Sequence, residues 1–194
     1  MSTVEMDTQD PKRTAVLTAA VGVFGRFGFQ KTSVEAVAKA AGISRPGLYL
    51  MFPNKEQLYR ATMQGVLERA QRAMEARLVD QSLSFDERIV AGLDALMGPY
   101  IDTQVARDLN ELLENSEPRL GSMFHDYQER ARATLSAYIA DFAPPGLLDA
   151  ELTADDVMDL LFSAALTWKS TSATRDDFRD RIRRSLQLIH RPAG

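Results

Sequence analysis

The stretch that decides the fold is Ser33-Val34-Glu35-Ala36-Val37-Ala38-Lys39-Ala40-Ala41-Gly42-Ile43-Ser44-Arg45-Pro46-Gly47-Leu48-Tyr49-Leu50-Met51-Phe52. Val34, Val37, Ala38 and Ala41 recur at helical spacing and give one apolar face. Gly42 can take positive φ without a Cβ penalty, so the chain can turn sharply there, with Ile43 as the apolar plug behind the turn. Ser44 is placed to cap a second short helix, with Pro46 in its first turn and Leu48, Tyr49 and Phe52 following. Ala38 is small where the two helices must cross. Two short helices joined by a tight turn, the second projecting its first turn outward, form a helix-turn-helix. In such motifs that first turn enters the major groove of DNA.

Outward from this stretch the periodicity stays helical. Asp10 is a candidate N-cap and Pro11 suits the first helical position. The first helix carries the stripe Leu17, Ala20, Val21, Phe24 and Phe27 and is expected to stop at Gly28. Thr32, three residues before Glu35, predicts a capping box at the start of the second helix. Pro53 ends the third helix, and Asn54, with Gln57, caps a fourth that runs to about Leu78. Val79 to Ser84 is an expected loop. Further helices are expected over about Phe85–Asp102, broken near Pro99, Gln104–Asn115, Glu117–Phe142, Thr153–Ser172 and Arg175–His190. Pro144-Pro145-Gly146 interrupts the chain between two of them. No alternating strand pattern and no hairpin signal is present.

Charge is divided along the chain. Residues 10–60 hold eight basic against three acidic residues, a net of +5, while residues 61–194 hold fifteen against twenty-two, a net of −7. A basic head on an acidic body is the asymmetry of a nucleic-acid reader with a second job behind it. The 45% apolar content supports a sizeable core. No apolar run reaches the roughly 20 residues of a membrane span. The absence of cysteine excludes disulfides, thiol catalysis and zinc–thiolate sites. Residues 1–10 are polar and lack the basic start and apolar stretch of a secretory signal, so a cytoplasmic protein is expected. There is no glycine-rich phosphate loop and no His-Glu-x-x-His, so neither an enzyme nor a metal or cofactor is expected. The acids around Asp155–Asp159 and Asp176–Asp180 sit near Arg175, Arg179, Arg181, Arg183 and Arg184, and ion pairing accounts for them.

The segment from Arg13 to about Leu67 resembles the DNA-binding domain of the TetR family of bacterial repressors. The residues that carry the resemblance are Phe24-Gly25-Arg26-Phe27-Gly28-Phe29, Thr32-Ser33, Val37-Ala38-Lys39-Ala40-Ala41-Gly42-Ile43-Ser44, and Leu48-Tyr49-Leu50-Met51-Phe52-Pro53-Asn54-Lys55-Glu56-Gln57-Leu58. The resemblance implies an all-α, TetR-like fold. Residues 1–10 would be a flexible tail and 11–58 a three-helix DNA-binding domain with its helix-turn-helix at about 33–52. Residues 59–194 would be a helical effector-binding and dimerisation domain. It implies double-stranded operator DNA, a homodimer mate and a small-molecule effector as partners. The competing reading is a helical protein–protein adaptor that does not bind DNA.

Carried over by position, Arg45 is the candidate base reader, because a guanidinium can bond guanine O6 and N7 together. Pro46 suits a thymine methyl, and Gly47 lets the backbone approach DNA. Tyr49 and Lys55 are candidate phosphate contacts, joined by Thr32, Ser33 and Ser44, which also serve as caps. Lys55 would also suit pairing with a nearby acid. Met51 stands where many members have a polar residue, and Glu35 would repel phosphate unless its capping role occupies it.

In the body, Val157, Leu161, Ala164 and Trp168, with Phe178, Ile182, Leu186 and Ile189, form apolar stripes on the last two helices. They suit the protomer's own core or, as the resemblance implies, a four-helix bundle with a two-fold mate. Met97, Tyr100, Leu112, Phe124, Tyr127, Phe162 and Trp168 are candidate pocket residues for an apolar or aromatic effector. The same residues suit a plain core. His125 is an expected surface histidine.

Overall fold

The computed structural model describes residues 11–101 and 120–189. Asp10, the expected helix at Gln104–Asn115 with Leu112, and His190 lie outside the described residues, as does the side chain of Tyr100. Eight α-helices and no strand are present among the described residues: α1 (Pro11–Lys31), α2 (Val34–Ala40), α3 (Arg45–Met51), α4 (Lys55–Leu78), α5 (Phe85–Met97), α6 (Met123–Phe142), α7 (Ala154–Thr171) and α8 (Arg175–Ile189). A 3-10 turn at Gly98–Tyr100 ends α5 beside Pro99.

Two apolar cores organise the chain. The head core joins Val16, Ala20 and Phe24 of α1, Val37 and Ala38 of α2, Leu48 of α3, and Leu58, Tyr59 and Met63 of α4. The body core joins Leu67, Met74 and Leu78 of α4 to buried residues of α5, α6, α7 and α8. Helix α4 therefore belongs to both. Its 24 residues span about 36 Å at 1.5 Å per residue, so one rigid rod ties the head to the body.

The turn after α2 is a Schellman motif. The Ile43 N–H donates to the Ala38 carbonyl at 3.0 Å and the Gly42 N–H to the Lys39 carbonyl at 3.2 Å. Gly42 sits at φ +67°, which is why glycine belongs there. Ser44 caps α3 by accepting from the Gly47 N–H, and Asn54 caps α4 by accepting from the Gln57 N–H at 2.8 Å. Thr153 and Asp156 form a capping box at α7.

Four sequence expectations change. Gly28 does not stop α1; it takes φ +69°, ψ 171° and the helix resumes through Lys31. The kink turns Phe29, not Phe27, toward the head core. Phe29 stacks near Phe24 and meets Tyr59 edge-on at 5.0 Å, while Phe27 is 47% exposed. The expected Thr32–Glu35 box does not form, because Ser33 is the N-cap of α2 and accepts from the Ala36 N–H at 3.1 Å. Thr32 instead turns inward and donates to the Gly28 carbonyl at 2.7 Å, the group left open by the kink. Finally, the long helix expected from Glu117 is interrupted at Gly121, φ +58°, and α6 starts at Met123.

In the body, α5 runs along α4, α7 packs on α6, and α8 packs on both α5 and α7. Asp94, buried on α5, accepts from Arg175 at 2.6 and 2.8 Å and from Arg179 at 2.7 Å, joining α8 to α5. Gly98 makes this possible. A Cβ there would collide with the Asp94 carboxylate and lie 2.6 Å from Arg175 Nε.

Candidate nucleic-acid interface

Helix α3 buries only Leu48, and everything else it offers is at or near the surface. Ser44, Arg45 and Pro46 are exposed at its start, as are Tyr49 and Leu50 one turn on. The Arg45 guanidinium lies 5.6 Å from the centre of the Tyr49 ring, four residues along. Contact with Tyr49 first, and the nearby Glu35 charge to a smaller degree, raises the Arg45 pKa above its ordinary value. The guanidinium is thus held extended and charged on the outer face. Gly47 has a local reason to be glycine: an added Cβ would press to 3.1 Å on the Ser44 oxygen that caps the helix.

The other predicted contacts divide. Ser33 and Ser44 are exposed with their hydroxyls accepting from backbone N–H groups, as caps do. Thr32 is only 3% exposed and its hydroxyl is bonded inward, so the side chain has no path to a phosphate. Among the described residues Lys55 pairs with no acid, and it does not stand free. Its ammonium donates to the carbonyls of Gln30 and Thr32 at 3.2 and 3.1 Å and lies 4.5 Å over the Phe29 ring. Arg13 does the same work at the C-terminal end of α3, donating to the Met51 carbonyl and covering the Phe52 ring at 4.4 Å. Sequence reasoning missed this anchor. Its only signal was a base in α1 facing the end of α3, which no spacing rule reveals. Glu35, free of any capping duty, contributes its charge beside Arg45. Leu50, also missed, stands 89% exposed on the same helix.

Residues 16–62 match the family described as bacterial regulatory proteins, tetR family. The head thus carries the DNA-binding segment of that family. The HTH-type transcriptional regulator RutR of Escherichia coli (strain K12) is 42% identical over 57 residues, 29% of this chain and 27% of RutR. That match thus spans about a quarter of the relative's length. An uncharacterized HTH-type transcriptional regulator of Bacillus subtilis (strain 168), YhgD, is 28% identical over 165 residues, 81% of this chain and 84% of YhgD. Among solved structures, the fatty acid degradation regulator FadR from Bacillus halodurans superposes with a TM-score of 0.72 at 19% identity, covering 94% of this chain and 96% of FadR. A TetR transcription regulator from Haloarcula marismortui ATCC 43049 gives 0.70 at 17% identity over 92% of this chain and 95% of its own. At such identities the structures establish a shared fold through the body as well as the head.

In the body, four of the candidate pocket residues meet. Met97, Phe124, Tyr127 and Phe162 line one cavity with Leu67, Leu96, Gln128, Leu166 and Lys169. Trp168 does not line it; it packs against the body core. The cavity measures only about 30 Å³, room for roughly one or two waters. His125 is exposed.

The candidate dimer residues divide between the two readings. Val157, Leu161, Phe178, Ile182 and Leu186 are fully buried within the protomer, because α8 lies against both α5 and α7 and turns its stripe inward. Ala164, Trp168 and Ile189 remain partly exposed. The apolar residues actually left outside on these helices include Leu160, 60% exposed, and Leu188, 69% exposed. Leu160, Ala164, Thr167 and Thr171 lie along one side of α7 at three- and four-residue spacing. Among the described residues no group of His, Asp or Glu is arranged to hold a metal, and no helix is long and apolar enough to cross a membrane.

Proposed function

We propose that this protein is a sequence-specific DNA-binding transcriptional regulator that acts as a homodimer in the cytoplasm. It would repress from a palindromic operator and leave that operator when a small, mostly apolar effector enters the body. The observation that carries the DNA reading is the outer face of α3, where Arg45, Pro46 and Tyr49 are presented with no packing duty of their own. In a major groove Arg45 would read a guanine edge, and the Tyr49 hydroxyl would meet a phosphate. One short helix touches few base pairs, so a second copy supplies the specificity that a single head lacks. The α7 side bearing Leu160, Ala164 and Thr167, with Leu188 of α8, is the face offered to that copy.

The switch follows from α4. Leu67 lines the body cavity, and Met63, one turn earlier on the same helix, sits in the head core. A cavity of about 30 Å³ is far below the roughly 300–1,000 Å³ of ligand pockets. An effector would therefore have to part α4 from α6 and α7 to enter, and a rigid α4 would carry that displacement to the head. This is a population shift toward a geometry in which two heads no longer match successive grooves.

A gel-shift titration with the DNA beside the protein's own gene tests the reading. A specific complex is expected, and Arg45→Ala should lose roughly 1–3 kcal/mol of discrimination at one base pair per half-site. No sequence preference at any salt concentration would sink the regulator reading and leave the adaptor.

A further inference from the structure

We infer that Leu50 reads the 5-methyl group of a thymine, and so makes this chain's operator depend on a methyl group as well as on hydrogen bonds. The inference rests on the DNA-binding reading above and names the base class that one more residue of the same helix selects.

Leu50 is the most exposed of the large apolar side chains among the described residues, at 89%. Val79, at 73%, follows the end of α4, and several of the other exposed ones have structural neighbours or a shared face. Phe142 stacks on Tyr138 at 5.2 Å, Phe27 lies under Arg26, and Leu160 and Leu188 sit on the last two helices. Leu50 has none of these. It is one turn beyond Pro46, which is also exposed, so the pair forms a short apolar stripe along α3. Beside it runs a second stripe, Arg45 and Tyr49, held together by the guanidinium–ring contact. The reading helix therefore shows a cationic fork and an apolar strip side by side.

The chemistry of the major groove assigns the strip. Phosphates and most base edges there are polar, and among the base edges the thymine methyl is the apolar group that a leucine side chain can cover. Arg45 and Leu50 are five residues apart, about 7.5 Å along the helix. The thymine should then lie within about three base pairs of the guanine that Arg45 reads, at the 3.4 Å spacing of stacked bases. The end of α3 that carries Leu50 is also fixed in advance. Arg13 holds the Met51 carbonyl and covers Phe52, so the leucine meets DNA from a preset position.

The test begins with selection of binding sites from a random duplex pool by the full chain. Each thymine of the selected site is then replaced by uracil, which removes only the methyl. One position per half-site should weaken wild-type binding about fourfold, the value of one buried methyl. Leu50→Ala should lower affinity for the thymine site by at least as much and bind the uracil and thymine sites alike. Because Leu50 supports no packing, the variant's melting curve should match wild type. If every uracil site binds wild type as tightly as its parent, or if Leu50→Ala still distinguishes the two, the methyl reading is overturned while DNA binding stands. If selection enriches no sequence, the DNA-binding reading fails, and this one with it.

Discussion

Head and body differ in what several of their cations hold, although Arg88 of the body, like the head's bases, donates to backbone carbonyls. In the body, arginines face carboxylates: Arg175 and Arg179 hold Asp94, Arg183 holds Glu87 at 2.8 Å, and Arg132 holds Asp159 at 2.6 Å. In the head, Arg13 and Lys55 face backbone carbonyls at or near the ends of helices. A carbonyl satisfies a cation without cancelling its charge. The head can thus brace α1 and α3 with bases and still present a net positive field to phosphate. The body, with acids in excess, neutralises as it braces. At these body arginines bracing cancels the charge, whereas at Arg13 and Lys55 it leaves the charge in place.

The largest expected effect tests which side of the last helices is core. Phe178→Ala should destabilise the protomer by about 3–5 kcal/mol, since the ring is fully buried between α8 and its neighbours. Leu188→Ala should leave protomer stability within about 0.5 kcal/mol, as exposed positions do. Denaturant unfolding at low concentration measures both, and sedimentation of Leu188→Ala reports the outer face. If Phe178→Ala were mild but dissociated a dimer, the inward orientation of α8 would be wrong.

What the sequence could reveal follows the range of the interaction. The caps at Ser44 and Asn54 and the turn at Gly42–Ile43 were legible because each is closed within three to five residues. The Thr32–Ser33 choice was not. Either hydroxyl could cap α2, and the decision came from the kink at Gly28, which leaves a carbonyl for Thr32 to satisfy. The α8 stripe was legible as a stripe. Its partner was not, because periodicity says that a face is apolar and nothing about what covers it. The pairing of Asp94 with residues more than eighty positions away carries no local signature, though Gly98 marks the space it needs.

An intermediate effect is expected at the body's central ion pair. Asp94→Asn should cost about 2–3 kcal/mol at neutral pH, because two guanidiniums lose their carboxylate while remaining about half exposed. Burial alone would raise the Asp94 pKa, but the hydrogen bonds and charges of Arg175 and Arg179 outweigh it and hold the carboxyl below its ordinary range. The folded state therefore keeps Asp94 ionised at pH values where the unfolded chain takes up a proton. The stabilisation is complete above the ordinary aspartate pKa of about 3.9 and is lost as pH falls through the lower folded value. Denaturation curves of wild type and variant should run parallel near pH 7 and converge in acid. Parallel curves down to pH 3 would remove Asp94 from the acid response.

The smallest effect bears most directly on the difference between the two regions. Lys55→Met keeps an apolar stem over Phe29 but removes both carbonyl bonds, and should cost about 1 kcal/mol of head stability. Salt separates it from the body's ion pairs. Screening weakens partly exposed charge pairs such as Arg132–Asp159, so that pair should contribute less at 1 M salt than at 0.1 M. A short cation–carbonyl contact shielded by an aromatic ring should change less. The variant should also weaken binding to every DNA sequence alike, with a salt slope reduced by less than one unit, because the charge acts here through the field and not through a phosphate in contact. A full unit of slope, with unchanged stability, would return Lys55 to a direct phosphate contact and dissolve the contrast between the two regions at this residue.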